Sequence, residues 1–235
     1  MTAIILQARL DSTRLPQKAL LPLDGKPLIF RVMEALNYVP CELRILACPE
    51  DSLSAFSPIA AEAGFEIIAG PKEDVLERFC AAIRRYSISR VIRATGDNPF
   101  VFADAAAAIS AEAAALNADY AGYGGIPYGA GVESVSAASL LRAGAEASSP
   151  CEREHVCPYL YNHPEIFRLH RPLAPLRWQD CRAEASGAEN SPIRVTVDTA
   201  EDFERAKKLY DALKTTPNRY YGDIIIKKYR EIFRT

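Results

Sequence analysis

The sequence predicts an α/β fold, a mostly parallel mixed sheet flanked by helices, and three observations predict it. Short β-branched runs alternate with longer segments of helical periodicity, the pattern of βαβ units. Polar and charged residues stand directly after several of those runs, where open α/β sheets present their ligands. With 235 residues, 49% of them hydrophobic, the chain can bury a large core as one unit.

Strands are expected at 3–8, 43–48, 65–69, 90–94 and 194–197, with helices at 28–39, 51–63, 73–86, 104–116 and 200–213. The first helix follows Pro27, whose fixed φ suits a helix start. The second carries Leu53, Phe56, Ile59 and Ala60 at helical spacing, as a stripe for the core. Thr199 and Asp202 open the last with a box-like cap. Beyond it, the run from Gly222 to Phe233 mixes cations with apolar residues and reads as a docked terminal helix.

Composition excludes several functions. A formal net charge of -2 lacks the basic excess of a nucleic-acid binder. No apolar run approaches the roughly 18 residues of a membrane span, and Met1 leads into a strand with no basic leader, so a cytoplasmic protein is expected. Cys41, Cys48, Cys80, Cys151, Cys157 and Cys181 form no Cys-x-x-Cys pair and read as reduced, mostly buried thiols. His163 and His170 lack metal-ligand spacing and read as structural. No Gly-x-x-x-x-Gly-Lys-Ser/Thr loop and no Gly-x-Gly-x-x-Gly fingerprint is present.

The candidate chemistry begins where the first strand runs into a loop. Arg9, Arg14 and Lys18 place three cations there, Ser12 and Thr13 add hydroxyl donors, and Pro16 stiffens the turn. A nucleoside triphosphate, with about four negative charges, requires such a cradle. A solvated surface turn is the alternative reading. Asp97, in Gly96-Asp97-Asn98-Pro99, and Asp198, in Thr196-Val197-Asp198-Thr199, each follow an expected strand. Meeting at one sheet edge they would hold Mg²⁺, which takes one or two carboxylates and completes its shell with phosphate oxygens and water. Singly, Asp97 reads equally as a turn residue and Asp198 as the lead into the next helix.

The run Gln7-Ala8-Arg9-Leu10-Asp11-Ser12-Thr13-Arg14-Leu15-Pro16-Gln17-Lys18 resembles the N-terminal signature of the cytidylyltransferases that make CMP-activated sugar acids, above all the spore coat polysaccharide biosynthesis protein F-like branch. That signature reads Gln-Ala-Arg-x-x-Ser-Thr-Arg-Leu-Pro-Gly-Lys, and the chain departs from it at Gln17, where a side chain is expected to crowd the approach of backbone to phosphate. The Gly-Asp-x-Pro element at Asp97 and the Thr-Val-Asp-Thr-x-x-Asp element at Asp198 resemble the same family. So do Asp74-Val75-Leu76-Glu77-Arg78, the segment around Glu133, and Glu152-Arg153-Glu154-His155-Val156-Cys157-Pro158-Tyr159, where Cys157 replaces a common Thr.

The resemblance implies a Rossmann-like nucleotidyltransferase (nucleotide-diphospho-sugar transferase) fold in one domain spanning residues 1–235. A nucleotide part would cover about 1–119, an acceptor and dimer part about 120–193, and a return strand with C-terminal helices 194–235. It implies Mg²⁺-dependent transfer of CMP from CTP to a sugar acid or related surface-polysaccharide precursor, by a homodimer. Gln7, Ala8, Arg9, Ser12, Arg14, Lys18, Asp74, Arg93 and Asp97 would hold the nucleotide, with Lys18, Arg14 and Asp97 catalytic and Asp97 and Asp198 on the metal. Arg78 is a further candidate beside the base. Glu133, Arg153, Glu154 and His155 would hold the acceptor, Arg153 facing its carboxylate and His155 standing as a candidate base. From the residues alone, Asp74 reads as a helix cap and the Glu152 to His155 cluster as a charged helix face. A glycosyltransferase of related architecture and a non-catalytic nucleotide-binding relative are the alternatives; the first lacks an Asp-x-Asp motif.

Overall fold

The computed structural model describes residues 1–180 and 193–233. The first strand, β1 (Thr2–Gln7), buries Ala3, Ile4, Ile5 and Leu6 completely. Burial on both faces marks a central strand, and Ile4, Ile5 and Leu6 each contribute roughly 1.5–3 kcal/mol. A loop and a 3₁₀ turn (Lys18–Leu20) lead to a small hairpin of β2 (Pro22–Leu23) and β3 (Lys26–Pro27). Then follow α1 (Leu28–Leu36), β4 (Leu43–Pro49), α2 (Leu53–Ala63), β5 (Glu66–Gly70), α3 (Val75–Tyr86), β6 (Arg90–Thr95) and α4 (Ala103–Ala115). The remainder comprises β7 (Tyr120–Ala121), β8 (Glu133–Ser136), α5 (Ala137–Glu146), α6 (Pro150–His155), α7 (Pro158–Asn162), β9 (Leu169–His170), α8 (Ala200–Leu213) and α9 (Gly222–Phe233).

The main sheet has the order β5-β4-β1-β6-β8-β7-β9. β5, β4, β1 and β6 are parallel, whereas β8 runs antiparallel to both β6 and β7, so the sheet is mixed. Alternation along β1 divides the core: Ile4 and Leu6 pack with α1, α2 and α4, and Ala3 and Ile5 with α3 and α5. A third cluster gathers α8 and α9 around Phe100, Phe102 and Trp178.

The reversal of β8 matters for the site. Gln7 pairs with Thr95 at the carboxyl ends of β1 and β6, and Glu133 at the amino end of β8 pairs with Arg93, so all of them reach one edge.

Some expected elements are placed differently. Leu53 is 36% exposed, because a 3₁₀ turn (Glu50–Ser52) precedes α2 and leaves Phe56 and Ala60 as its buried anchors. The expected strand at 194–197 is an extended segment with a single bridge, Tyr128 to Arg194. Its amides divide between two neighbours, Val195 donating to the Tyr128 carbonyl at 2.9 Å and Val197 to the Asp97 carbonyl at 2.8 Å, so no ladder forms. Gly222 to Phe233 is a docked helix with Ile225, Ile226 and Tyr229 buried, and no helix among the described residues is long and apolar enough to cross a membrane.

Candidate active site

At the carboxyl edge of β1 and β6 the chain encloses a cleft of about 460 Å³. Its floor is an ion cluster. The Lys18 ammonium donates to Asp97 Oδ2 at 3.2 Å, to Asp198 Oδ1 at 3.0 Å and to the Val197 carbonyl at 2.9 Å. Arg14 reaches the same Asp198 Oδ1 at 3.2 Å, and Arg194 holds Oδ2 at 2.6 Å. Thr95 Oγ1 donates to Asp97 Oδ1 at 2.7 Å and accepts from the Asn98 side-chain Nδ2 at 2.8 Å. The buried Asn98 Oδ1 has no partner.

Local conformation explains how these groups meet. An added Cβ on Gly96 would stand 2.8 Å from the Ala8 Cβ and 3.1 Å from the Gln7 carbonyl, so only glycine lets the loops after β1 and β6 touch. Gly129, at φ +89, lies where an added Cβ would be 2.5 Å from the Thr196 amide, and its absence brings the segment leading to Asp198 against the cleft wall. Asp198 is then locked from behind: the Asp202 carboxylate accepts from the amides of Asp198 and Thr199 at 3.0 and 3.1 Å, and Thr199 with Asp202 forms the capping box of α8.

Gln17 adopts φ 51 and ψ 29, the left-handed region that favours glycine. The residue is exposed and forms no part of the cleft wall, so the departure at this position is a matter of backbone conformation rather than of crowding in the cleft.

Across the cleft, α6 ends in a second strained residue. Val156 has φ 73 and ψ -54, with the Cys157 amide donating to the His155 carbonyl at 2.9 Å, a γ-turn that a β-branched residue adopts only under constraint. The turn leaves His155 exposed on the cleft wall beside Glu154, whose carboxylate faces Arg9 at 3.8 Å.

A second cleft of about 560 Å³ adjoins the first and shares Arg93, Thr95, Asn98, Tyr128 and Gly129 with it. Arg93 pairs with Glu133 and donates to Gln7 Oε1 at 3.1 Å; Tyr120 donates to Glu133 at 2.7 Å. Burial works against the Arg93 charge, but the Glu133 carboxylate outweighs it and holds the guanidinium above its usual range. Burial, then the same carboxylate, pushes the Tyr120 phenol and the Cys157 thiol well upward. These groups keep their protons at neutral pH, and Glu133 is consumed as the acceptor of hydrogen bonds from Arg93 and Tyr120.

The cytidylyltransferase family model matches residues 3–225. This chain belongs to the cytidylyltransferase family. As a cytidylyltransferase it is an enzyme of the nucleotidyltransferase type. It is 31% identical over 228 residues to the spore coat polysaccharide biosynthesis protein SpsF of Bacillus subtilis, covering 94% of this chain and 91% of that protein. Its fold is similar to that of a cytidylyltransferase from Leptospira borgpetersenii, with a TM-score of 0.86 at 22% identity over 99% of this chain and 95% of the other. It is also similar to that of CMP:2-keto-3-deoxy-manno-octonic acid synthetase complexed with CTP, with a TM-score of 0.67 at 15% identity over 89% and 98%. The Rossmann-like nucleotidyltransferase architecture expected from the sequence is therefore the observed one.

Of the residues singled out in this cytidylyltransferase, the first cleft is lined by Gln7, Ala8, Arg9, Ser12, Arg14 and Lys18, and also by Arg78, Arg93, Asp97, Glu154, His155 and Asp198. Glu133 lies in the adjoining one. Two stand elsewhere. Asp74 caps α3, accepting from the Glu77 amide at 2.9 Å, and its other oxygen pairs with Arg153 at 2.6 Å. Arg153 also donates to the carbonyls of Ala147 and Gly144, so it ties α6 to α3 and to the end of α5 rather than facing a substrate. The cap reading of Asp74 is the one the geometry favours, whereas Arg153 pairs with Asp74 on another helix rather than with a glutamate on its own helix face.

Arg194, Thr95 and Asn98 were not legible as site residues. Thr95 and Asn98 flank Asp97 and carried a local signal; Arg194 carried none, because its tie to Asp198 depends on a non-helical bend. His163 Nδ1 lies 2.8 Å from the Tyr159 carbonyl and His170 Nε2 2.9 Å from Glu112, both structural as expected. Cys48, Cys80 and Cys157 are buried thiols, Cys41 is half-buried, Cys151 is exposed, and Cys181 lies outside the described residues. Burial pushes Cys48 and Cys80 up to about 11, which leaves them unreactive at neutral pH.

Proposed function

We propose that this cytidylyltransferase transfers CMP from CTP to a hydroxyl of a sugar acid used as a surface-glycan precursor, releasing pyrophosphate, with Mg²⁺ as cofactor. The observation that carries the reading is the floor of the first cleft, where one ammonium, Lys18, holds Asp97 and Asp198 together beneath Arg9, Arg14, Ser12 and Thr13. The acceptor oxygen attacks the α-phosphorus, and the bond from that phosphorus to the bridging oxygen breaks. Positioning and charge stabilisation supply most of the acceleration in such a transfer.

The residues present fit the metal. Asp97 Oδ2 and Asp198 Oδ1 already converge on a single cation, Lys18, at 3.2 and 3.0 Å, and both are the hard oxygen donors that Mg²⁺ prefers. Mg²⁺ held by one or two carboxylates completes its shell with phosphate oxygens and water. When bound, Mg²⁺ supplies charge neutralisation for the leaving pyrophosphate.

The chain's own residues do the rest. Arg9, Arg14 and Lys18 balance the triphosphate, with Lys18 and Arg14 turning from Asp198 toward phosphate. Gln7, Ala8 and Arg93 form the wall below the nucleoside. Arg78, buried with its Nε unpartnered and its Nη1 held by the Pro71 and Lys72 carbonyls, is the candidate reader of the base. Glu154 and His155 face the acceptor side. In this reading the nucleotide part spans about 1–119, the acceptor part about 120–193, and the segment from 194 onward returns Asp198 to the nucleotide; the enzyme acts in the cytoplasm as a homodimer.

The test is the melting temperature with CTP, UTP, GTP and ATP, each with and without Mg²⁺, followed by a pyrophosphate-release assay over sugar acids. A rise specific to CTP with Mg²⁺ is expected. No rise with any nucleotide would sink the proposal.

A further inference from the structure

We infer that Arg171 is the residue that selects an anionic acceptor, by pairing with the carboxylate of the sugar in the second cleft. The inference rests on the cytidylyl-transfer reading and assigns the recognition of charge to a residue that no motif marked.

Three charged side chains line this cleft: Arg93, Glu133 and Arg171. The first two neutralise one another, and the Tyr120 hydroxyl takes the remaining Glu133 oxygen. Arg153, the cation expected to meet the acceptor, is held by Asp74 and two backbone carbonyls away from either cleft. That leaves Arg171. Among the described residues it makes no ion pair, its guanidinium standing 5.7 Å from the Tyr161 ring centroid. The second cleft thus carries one uncompensated positive charge.

Its backbone is fixed although its side chain is exposed. Parallel pairing of β9 with β7 puts Ala121 opposite His170, the Gly122 amide donates to the His170 carbonyl at 3.1 Å, and the Gly124 amide donates to the Pro172 carbonyl at 2.8 Å. Arg171 sits between those two anchored carbonyls. The guanidinium fork matches a carboxylate in two parallel hydrogen bonds, and a site so equipped loses that pairing with a neutral sugar. Tyr123, oriented by its hydrogen bond to Glu112, lines the same cleft and gives the sugar ring a flat apolar neighbour.

The test measures pyrophosphate release from CTP over a panel of 2-keto and aldonic sugar acids, each beside its neutral methyl ester, for the wild type, Arg171→Ala and Arg171→Lys. Turnover confined to acids is expected. Arg171→Ala should raise the KM of the best acid at least about tenfold with kcat little changed, with Arg171→Lys recovering part of it. Because the side chain is exposed, both variants should melt within a degree or two of the wild type, which separates recognition from folding. Esters used as well as acids, an unchanged KM in Arg171→Ala, or a protein that binds CTP but accepts no acid would each overturn the inference while leaving nucleotide binding intact. Failure to bind CTP at all would instead strike at the transferase reading itself.

Discussion

Lys18 Nζ lies 3.0 Å from Asp198 Oδ1, a pair separated by 180 positions in sequence that joins the first loop of the chain to the approach of α8. Asp97 shares the same ammonium at 3.2 Å. One lysine therefore holds together two carboxylates that would otherwise repel. Replacing it with Met should reduce pyrophosphate release by about a hundredfold or more, since a charge acting at the transferring phosphate is worth several kcal/mol. CTP titration by calorimetry should show weakened binding in the same variant. Full turnover in a folded Lys18→Met protein would remove Lys18 from the mechanism.

Gln17→Gly should stabilise the protein. A side chain in the left-handed region costs about 1–2 kcal/mol, and glycine returns about 0.5–1 kcal/mol of that as unfolded-state entropy. A net gain of about 0.5–1 kcal/mol in urea denaturation is expected, with turnover within about twofold of the wild type, because Gln17 is exposed outside the cleft wall. A large rise in turnover would mean that its side chain does interfere with nucleotide binding.

Gly96→Ala should do the opposite. The added methyl would meet Ala8 at 2.8 Å and the Gln7 carbonyl at 3.1 Å, two neighbours carried on backbone rather than on flexible side chains. A loss of about 1–3 kcal/mol is expected from the overpacking. Turnover should fall further than stability accounts for, because the shift separates Asp97 from the loop that bears Lys18. Circular dichroism melting and steady-state rates measured on the same preparation decide it.

Arg153→Ala should lower stability by about 1–2 kcal/mol and leave the acceptor KM nearly unchanged, as expected of a tie between helices. Its Nε lies 2.7 Å from Asp74 Oδ2. A double-mutant cycle with Asp74→Ala should give a coupling energy well above zero. A raised acceptor KM without loss of stability would return Arg153 to the substrate.

Acid sensitivity should trace in part to Asp202. Burial disfavours its charge, yet the hydrogen bond from Arg205, the Asp198 amide and the nearby Arg194 outweigh it and hold the carboxyl below its usual range. A folded-state value below the unfolded one means that this stabilisation is complete above about pH 4 and is lost as pH falls through the folded value. Asp202→Asn should cost about 1–3 kcal/mol at neutral pH through the weakened cap. It should also flatten the decline of stability below about pH 4, read from denaturation midpoints. An identical slope in variant and wild type would mean that other carboxylates carry the acid response.

The alternation of apolar runs with helical periodicity foretold β1, β4, β5 and β6 and the helices between them within a few residues, because each buries a stripe whose spacing is local. β7, β8 and β9 escaped notice. They are only two to four residues long, and they exist because the sheet edge beyond β6 supplies partners, not because their own sequence alternates over a readable length. The stretch at 194–197 misled for the converse reason: it is β-branched enough for a strand, but its amides are divided between Tyr128 and Asp97.

The candidate site divides in the same way. Sequence by itself determined which loop residues between Gln7 and Lys18, and which two acids after apolar runs, would come to line the first cleft, since these are contiguous motifs whose residue types state a proposed chemistry. Only the tertiary structure decided which charges are spent on one another. Arg153 belongs to Asp74, Arg93 to Glu133 and Arg194 to Asp198, while Arg171 stands beside the second cleft with its charge unmatched among the described residues. Ion pairs fall off over a few ångströms, and the distances that rank them are set by strand order and loop contact rather than by separation along the chain.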